Sequence, residues 1–294
     1  MYGCSILIGH TNTLYYLKFC IEQIRKYRHP EIPQEIILVD QSPELIFKEV
    51  QDLYGNDADI QLLRLAKVDL GFAIDTGVKA AQFDFFCTLD CDAFPIHRNW
   101  LYLPIQLIQK YNFSFIGNNT GLELSYKEKG HFFHLNNYYR VSRTDLARKL
   151  SETVGFIRPG ERNLVNFKPK DDTWGNDYAD VGVVAQWYTD QNKLGDKLSL
   201  EISSHLGMTN KQGIYGMVID DLVFHMVFGP KEDVDDSLGS AFLDLREWVK
   251  QEGLSEPLIR DFIEHSTKRK TTRRINGQDI SCEMDSVIEQ IKNS

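Results

Sequence analysis

Three acid-bearing stretches and two late histidines hold most of the chemistry this sequence offers. In FDFFCTLDCDAFPIHRNW, residues 83–100, an apolar run of strand character ends in Asp90 and Asp92, separated only by Cys91. Carboxylate oxygens of this kind suit a hard divalent cation, which takes its remaining ligands from a diphosphate. On a regular strand the two acids would share a face, but where a chain turns at a strand's end they can address one ion from different directions. Aspartate is also a common turn former, so the pair gains its meaning from what surrounds it.

The elements that must position these acids are legible upstream. SILIG (5–9) reads as a first strand, followed by a helix that Asn12 or Thr13 can cap and whose Leu14, Leu17, Ile21 and Ile24 share one face. EIILVD (35–40) is a second strand. A second helix is expected with its cap at Ser42, Pro43 at the first helical position, and Ile46, Val50 and Leu53 facing inward. IQLLRL (60–65) is a third strand, GFAIDTGVKAAQ (71–82) a turn entering a helix, and FDFFCTLD (83–90) a fourth strand. Strands alternating with helices imply a parallel sheet with crossover helices, and such sheets bind ligands at the carboxyl ends of their strands. Gly9, Asp40 and Asp90 all fall there.

Beyond residue 100 the pattern loosens. A helix through LPIQLIQKY, a strand FSFIG, and a strand then a helix starting near Thr144 are expected, with a long loop over 155–176. A β-like segment over 214–229 precedes a helical tail from about 236. The organisation expected is a domain over 1–230, with a nucleotide-binding half over 1–100 and an acceptor half over 101–230, and a helical extension over 231–294.

Composition narrows the class of partner. The 294 residues are 42% hydrophobic, enough for a substantial core. With 42 acids against 33 bases the formal charge is -9, so nucleic acid is not an expected partner. The five cysteines form no CxxC pair, as suits a reducing compartment. The amino-terminal stretch lacks a basic leader, and no apolar run approaches the roughly 18 residues of a membrane span. A cytoplasmic protein is expected, associated with the inner membrane face at most peripherally.

The four motifs in order resemble the GT-A family of nucleotide-sugar glycosyltransferases, in particular its bacterial family 2-like members. IGHTN is similar to the polar turn after the family's first strand, LVDQSP to the acidic end of its second, GFAIDTG to its glycine-rich turn, and TLDCDAF to its D-x-D signature. The resemblance covers residues 5–100 well and 100–230 loosely. It implies an α/β, Rossmann-like GT-A mixed sheet flanked by helices, with a helical carboxyl-terminal tail. It also implies Ile8, Thr11, Asp40, Gln41, Asp75, Asp90 and Cys91 as contacts to the nucleotide sugar, with Asp40 at the base and Asp75 in place of the usual Asn. Asp92 is implied as a direct ligand of Mn²⁺ or Mg²⁺, Asp90 as a contact to the ribose or the ion, and His225 as a further ligand, with His205 its competitor.

What the resemblance implies for function is metal-dependent, inverting transfer of a hexosyl group from a uridine-linked donor to a saccharide or lipid-linked acceptor. Inversion needs a base to take the acceptor's proton. WGNDYADVG is similar to the family's WGGED element, with Tyr178 where the second acid is expected. That implies Asp177 as base, Asp180 as second choice and Asp172 as third. The plain alternative is that Asp177 caps the helix running through Val183 and Trp187. Two other functions stand beside transfer: a sugar-phosphate nucleotidyltransferase, which would ordinarily carry a basic glycine-rich loop after the first strand, and a catalytically degenerate scaffold that binds sugar nucleotides.

Overall fold

The computed structural model describes residues 1–66, 70–118, 124–126, 130–132, 135–156, 181–200, 202–206, 216–226, 253–268, 274–275 and 278–292. Its first part follows the expected alternation: β1 (Cys4–His10), α1 (Leu14–Lys26), β2 (Gln34–Asp40), α2 (Glu44–Tyr54), β3 (Ile60–Arg64), α3 (Leu70–Ala80) and β4 (Phe85–Asp90). The four strands are parallel in the order β3-β2-β1-β4. Register sets Gly9 opposite both Val39 and Asp90, and His10 opposite Asp40, so the three carboxyl ends finish level.

Because both faces of such a sheet are covered, its strands are apolar almost throughout, and alternate residues enter different cores. Ile6, Ile8, Ile36 and Leu38 join one hydrophobic cluster with α1. Leu7, Ile37 and Val39 join the other with Ala73, Ile74 and Val78 of α3. Gly77 lets α3 lie close on the sheet, since a Cβ there would come within 2.5 Å of Leu7 Cδ1.

Local detail departs from the sequence reading in four places. Thr13 occupies the cap position of α1, but its side chain makes no capping bond. Pro43, not Ser42, precedes the first helical residue of α2, because the Ser42 hydroxyl donates to Asp40 Oδ2 at 2.9 Å instead. On the same helix Leu53 is 44% exposed while Tyr54 is buried. Gly71 lies in the first turn of α3 and not in a preceding turn.

The chain continues through β5 (Ala93–Pro95), a 3-10 turn (Arg98–Trp100), α4 (Tyr102–Tyr111), β6 (Phe115–Asn118), β7 (Leu124–Tyr126), β8 (Gly130–Phe132), β9 (Tyr139–Arg143) and α5 (Thr144–Thr153). Then come α6 (Val183–Gln191), β10 (Lys197–Leu200), β11 (Ile202–Leu206), β12 (Gly216–Ile219) and β13 (Val223–His225). The carboxyl-terminal part holds α7 (Glu256–Glu264), β14 (Thr267–Lys268), β15 (Arg274–Ile275), β16 (Gln278–Asp279) and α8 (Ser281–Lys292).

β9 runs antiparallel between β4 and β6, which makes the sheet mixed. Among the described residues it has nine strands, in the order β16-β15-β10-β6-β9-β4-β1-β2-β3. This is the α/β, GT-A arrangement expected from the sequence. A second sheet, β14-β11-β12-β13-β5, packs its Phe94, Val218 and Phe224 into the cluster on the α1 side.

The β-like segment over 214–229 contains a hairpin, β12 to β13, turned by Asp220 and Asp221 with φ of 46° and 57°. Two successive left-handed residues of this kind match the twist of paired strands, and aspartate tolerates them. The carboxyl-terminal part is helical in α7 and α8 as expected, but it also lends β14 to the second sheet, beside β11, and β15 and β16 to the nine-stranded one, with β15 beside β10. Two-residue strands carry no readable periodicity. Met284 and Ile288 of α8 reach the core. Among the described residues, no helix is long and apolar enough to cross a membrane.

Candidate metal and nucleotide site

The acid pair at the end of β4 is completed by a strand pairing that sequence periodicity does not show. After Asp90 the chain turns through Cys91 and Asp92 into β5, and β5 pairs antiparallel with β13: Ala93 opposite His225, Phe94 opposite Phe224, Pro95 opposite Val223. The Met226 amide donates to the Asp92 carbonyl at 2.9 Å. His225 is thereby set beside Asp92, with its Nε2 3.4 Å from Asp92 Oδ1. One ligand atom each of Asp90, Asp92 and His225 lies within 4.8 Å of the others.

Burial gives this cluster its electrostatic character. Asp92 and His225 are only 4% and 5% exposed, and Asp90 is half-buried. Burial by itself would make the His225 imidazolium hard to form, but the charge of Asp92, its hydrogen bond, and the charge of Asp90 outweigh that and raise the His225 pKa above its ordinary value. A place that holds a proton against desolvation is one of negative potential, and two carboxylates with an imidazole form a donor set that fits a divalent ion such as Mn²⁺. His205 lies on β11, separated from β13 by β12.

Two further contacts fix the cluster. The Asp90 amide donates to the Tyr138 carbonyl at 3.1 Å. The Tyr138 ring stacks on His225, with centroids 4.2 Å apart and planes 13° from parallel. Nothing in the sequence singled out Tyr138, whose neighbours Asn136, Asn137 and Tyr139 give it no distinguishing pattern.

At the ends of β1 and β2 lies a second polar group. The Asp40 carboxylate is fully buried, and His10 Nδ1 lies 2.6 Å from its Oδ2. Ser42 donates to it twice, from its hydroxyl at 2.9 Å and its amide at 3.0 Å, and Arg64 Nη1 donates at 2.7 Å. Burial pushes the Asp40 carboxyl upward, but hydrogen bonds from His10 and Ser42 and the interaction with His10 charge outweigh it, and the pKa settles below the ordinary value. The Arg64 guanidinium stands 4.2 Å from the centre of the Phe47 ring, with its side chain 35% exposed. Four donors nearly fill the acceptor capacity of one carboxylate. Asp40 therefore organises His10, Ser42 and Arg64. Sequence reasoning marked none of these three as a site residue and gave Ser42 only a capping role, although His10 and Arg64 are the last residues of β1 and β3.

The remaining expected contacts spread around this edge. Thr11 is half-buried in the bend after β1. Gln41 is buried, and its amide donates to the His10 carbonyl at 2.8 Å. Ile8 and Cys91 turn their side chains into the core, where burial first, and then the charges of Asp92 and Asp90, push the Cys91 thiol well up. Asp75 is buried on α3, where both its oxygens accept from the Phe156 amide at 3.2 Å. Asp172, Trp174, Asp177, Tyr178 and Asp180 lie outside the described residues. The cap position of α6 is held by Gly182, at φ 76°, and not by Asp177.

A model of the family described as Glycosyl transferase family 2 matches residues 5–164. Among solved structures, TarS 1-349 of S. aureus is similar at 18% identity, covering 53% of this chain and 50% of that one, with a TM-score of 0.40. The mannosyltransferase PcManGT of Pyrobaculum calidifontis, solved with GDP-Man and Mn²⁺, is similar at 13% identity over 53% of this chain and 48% of that one, with a TM-score of 0.42. GalNAc-T7, solved with UDP, GalNAc and Mn²⁺, is similar at 21% identity over 40% and 22% of the two chains, with a TM-score of 0.36. The chain thus spans about half the length or less of these structures. No curated protein matches it.

Proposed function

The chain belongs to glycosyl transferase family 2, and from that premise we propose that it moves a sugar from a uridine-linked nucleoside-diphosphate sugar to an acceptor hydroxyl, with inversion, using Mn²⁺ or Mg²⁺. The observation that carries this is the convergence of Asp90, Asp92 and His225 at the carboxyl edge of the sheet. Family membership sets the nucleotidyltransferase alternative aside.

In this reading Asp92 and His225 hold the ion, and Asp90 holds the ion or the donor's ribose. The bound ion supplies the positive charge that the departing diphosphate requires. Asp40 acts through the groups it holds, keeping His10 and Arg64 in place beside the donor's base. Thr11, Gln41 and the Cys91 backbone line the same edge, while Asp75 supports it from within α3. The acceptor, a saccharide or lipid-linked hydroxyl, gives its proton to Asp177, with Asp180 the next choice. Residues 1–100 serve the nucleotide, 101–230 the acceptor, and 231–294 form a carboxyl-terminal extension, whose described strands β14 and β15 pair with the two sheets.

Incubation with a panel of UDP- and GDP-sugars, with Mn²⁺ or with chelator, tests the reading. Release of nucleoside diphosphate that requires the metal, and a product of opposite anomeric configuration by NMR, are expected. Metal-assisted binding without turnover would make the chain a scaffold instead. Asp177→Asn is expected to lower turnover about a hundredfold, the lower range for a general base, while leaving the donor's dissociation constant unchanged. Undiminished turnover would remove Asp177 from the mechanism.

A further inference from the structure

We propose that Tyr138 is a positioning residue for the ion site, one that holds the His225 imidazole in the plane from which its Nε2 meets the ion shared with Asp90 and Asp92. The inference rests on the metal reading given under Proposed function and adds to it a residue that touches neither donor nor ion.

Tyr138 grips the site from two directions. Its carbonyl accepts the Asp90 amide at 3.1 Å, which fixes the backbone of one ligand. Its ring lies 4.2 Å from the imidazole of another and nearly parallel to it. The two ligands belong to different sheets, Asp90 to the nine-stranded one and His225 to the five-stranded one. Tyr138 therefore sets their separation as well as their tilt.

The ring is itself anchored. The Tyr138 hydroxyl donates to Asn118 Oδ1 and accepts from Asn136 Nδ2 at 3.0 Å. Asn118 Nδ2 in turn donates to the Leu200 carbonyl at 3.1 Å, tying the ring to β6 and β10. His225 Nδ1 is buried and has no hydrogen-bond partner among the described residues. A metal-ligating imidazole usually has its plane fixed by a hydrogen bond from its second nitrogen. Here the stack takes over that office, since rotation of the imidazole about its Cβ–Cγ bond would drive its edge into the tyrosine face.

The test is Mn²⁺ binding by the full chain without donor, read by electron paramagnetic resonance as loss of the free-ion signal. Tyr138→Met keeps apolar bulk and removes the ring plane; it is expected to weaken Mn²⁺ binding about 10–100-fold, the range for residues that orient a ligand. Tyr138→Phe keeps the ring and is expected to bind close to wild type. In a His225→Ala background, Tyr138→Met is expected to add no further loss, because its effect runs through the imidazole. Thermal unfolding separates a folding defect from a binding one; should Tyr138→Met not fold, Tyr138→Leu, which also keeps apolar bulk without a ring plane, is expected to weaken Mn²⁺ binding in its place.

Wild-type binding with undiminished affinity in Tyr138→Met overturns this inference alone. An equal loss in the His225→Ala background assigns Tyr138 a merely structural part and also overturns it. Absence of Mn²⁺ binding by the wild-type chain overturns it together with the metal reading.

Discussion

Asp92→Asn lowers metal-supported sugar transfer by on the order of a thousandfold, the upper range for removing one preorganised electrostatic partner of a developing charge. The substitution keeps the shape of the side chain and leaves the carbonyl that accepts from Met226 untouched, so β5 and β13 remain paired. What it removes is one of two negative charges that face His225 and would face the ion of the proposed site. The carboxamide oxygen could still ligate the ion that the proposed site would hold, but as a dipole in place of a charge, so that the ion would be held less firmly. Initial rates at saturating donor over a Mn²⁺ series, beside a urea unfolding curve, check this. Wild-type turnover with an unchanged Mn²⁺ requirement would remove Asp92 from the ion site.

Asp40→Asn costs about 3 kcal/mol of folding stability, the lower range for breaking a buried charged network from one side. The lower range applies because Arg64 can turn to water, whereas His10 is wholly buried and keeps its unmet donor. An amide nitrogen in this position would also face the Ser42 amide, Ser42 hydroxyl, Arg64 or His10, all of which now donate to it or lie within bonding distance. The effect depends on pH with a definite sign. The Asp40 pKa is depressed by folding, so its stabilisation is fully present above the ordinary value of 3.8 and is lost as pH falls through the lower folded value. Urea unfolding at pH 7 and below pH 3.8 checks both statements, with the gap between wild type and variant expected to narrow in acid. A constant gap, or none, would show that the carboxylate charge contributes nothing.

The first hundred residues were legible because each of their signals is local. Apolar runs such as EIILVD, bounded by turn chemistry and followed by a 3.6-residue repeat, specify β2 and its neighbours within a few residues. Asp90 and Asp92 announce themselves by standing at the end of such a run. His225 was reached only through the family's order of motifs. The pairing that brings it to Asp92 joins two three-residue strands, too short for any alternation to stand out.

Competition between partners hid the rest. Ser42 carries a good capping side chain, and a sequence cannot show that a buried carboxylate two residues earlier will claim it. Leu53 is exposed and Tyr54 covered because both suit a helix and only the neighbouring surface decides which is buried. Tyr138 looked like ordinary strand filling, since its stacking partner lies in another sheet.

The pairing of β5 with β13 bears also on the order in which a growing chain acquires its parts. During synthesis the parallel strands β1 to β4 emerge early, while the imidazole is translated last of the three ligands, after β6 to β12. Until it leaves the ribosome, Asp90 and Asp92 repel one another with no third group to reconcile them, and joining elements so distant along the chain is slow compared with local crossovers. The three-residue cluster therefore assembles as a late event in maturation, after most of the sheet that frames it has been made.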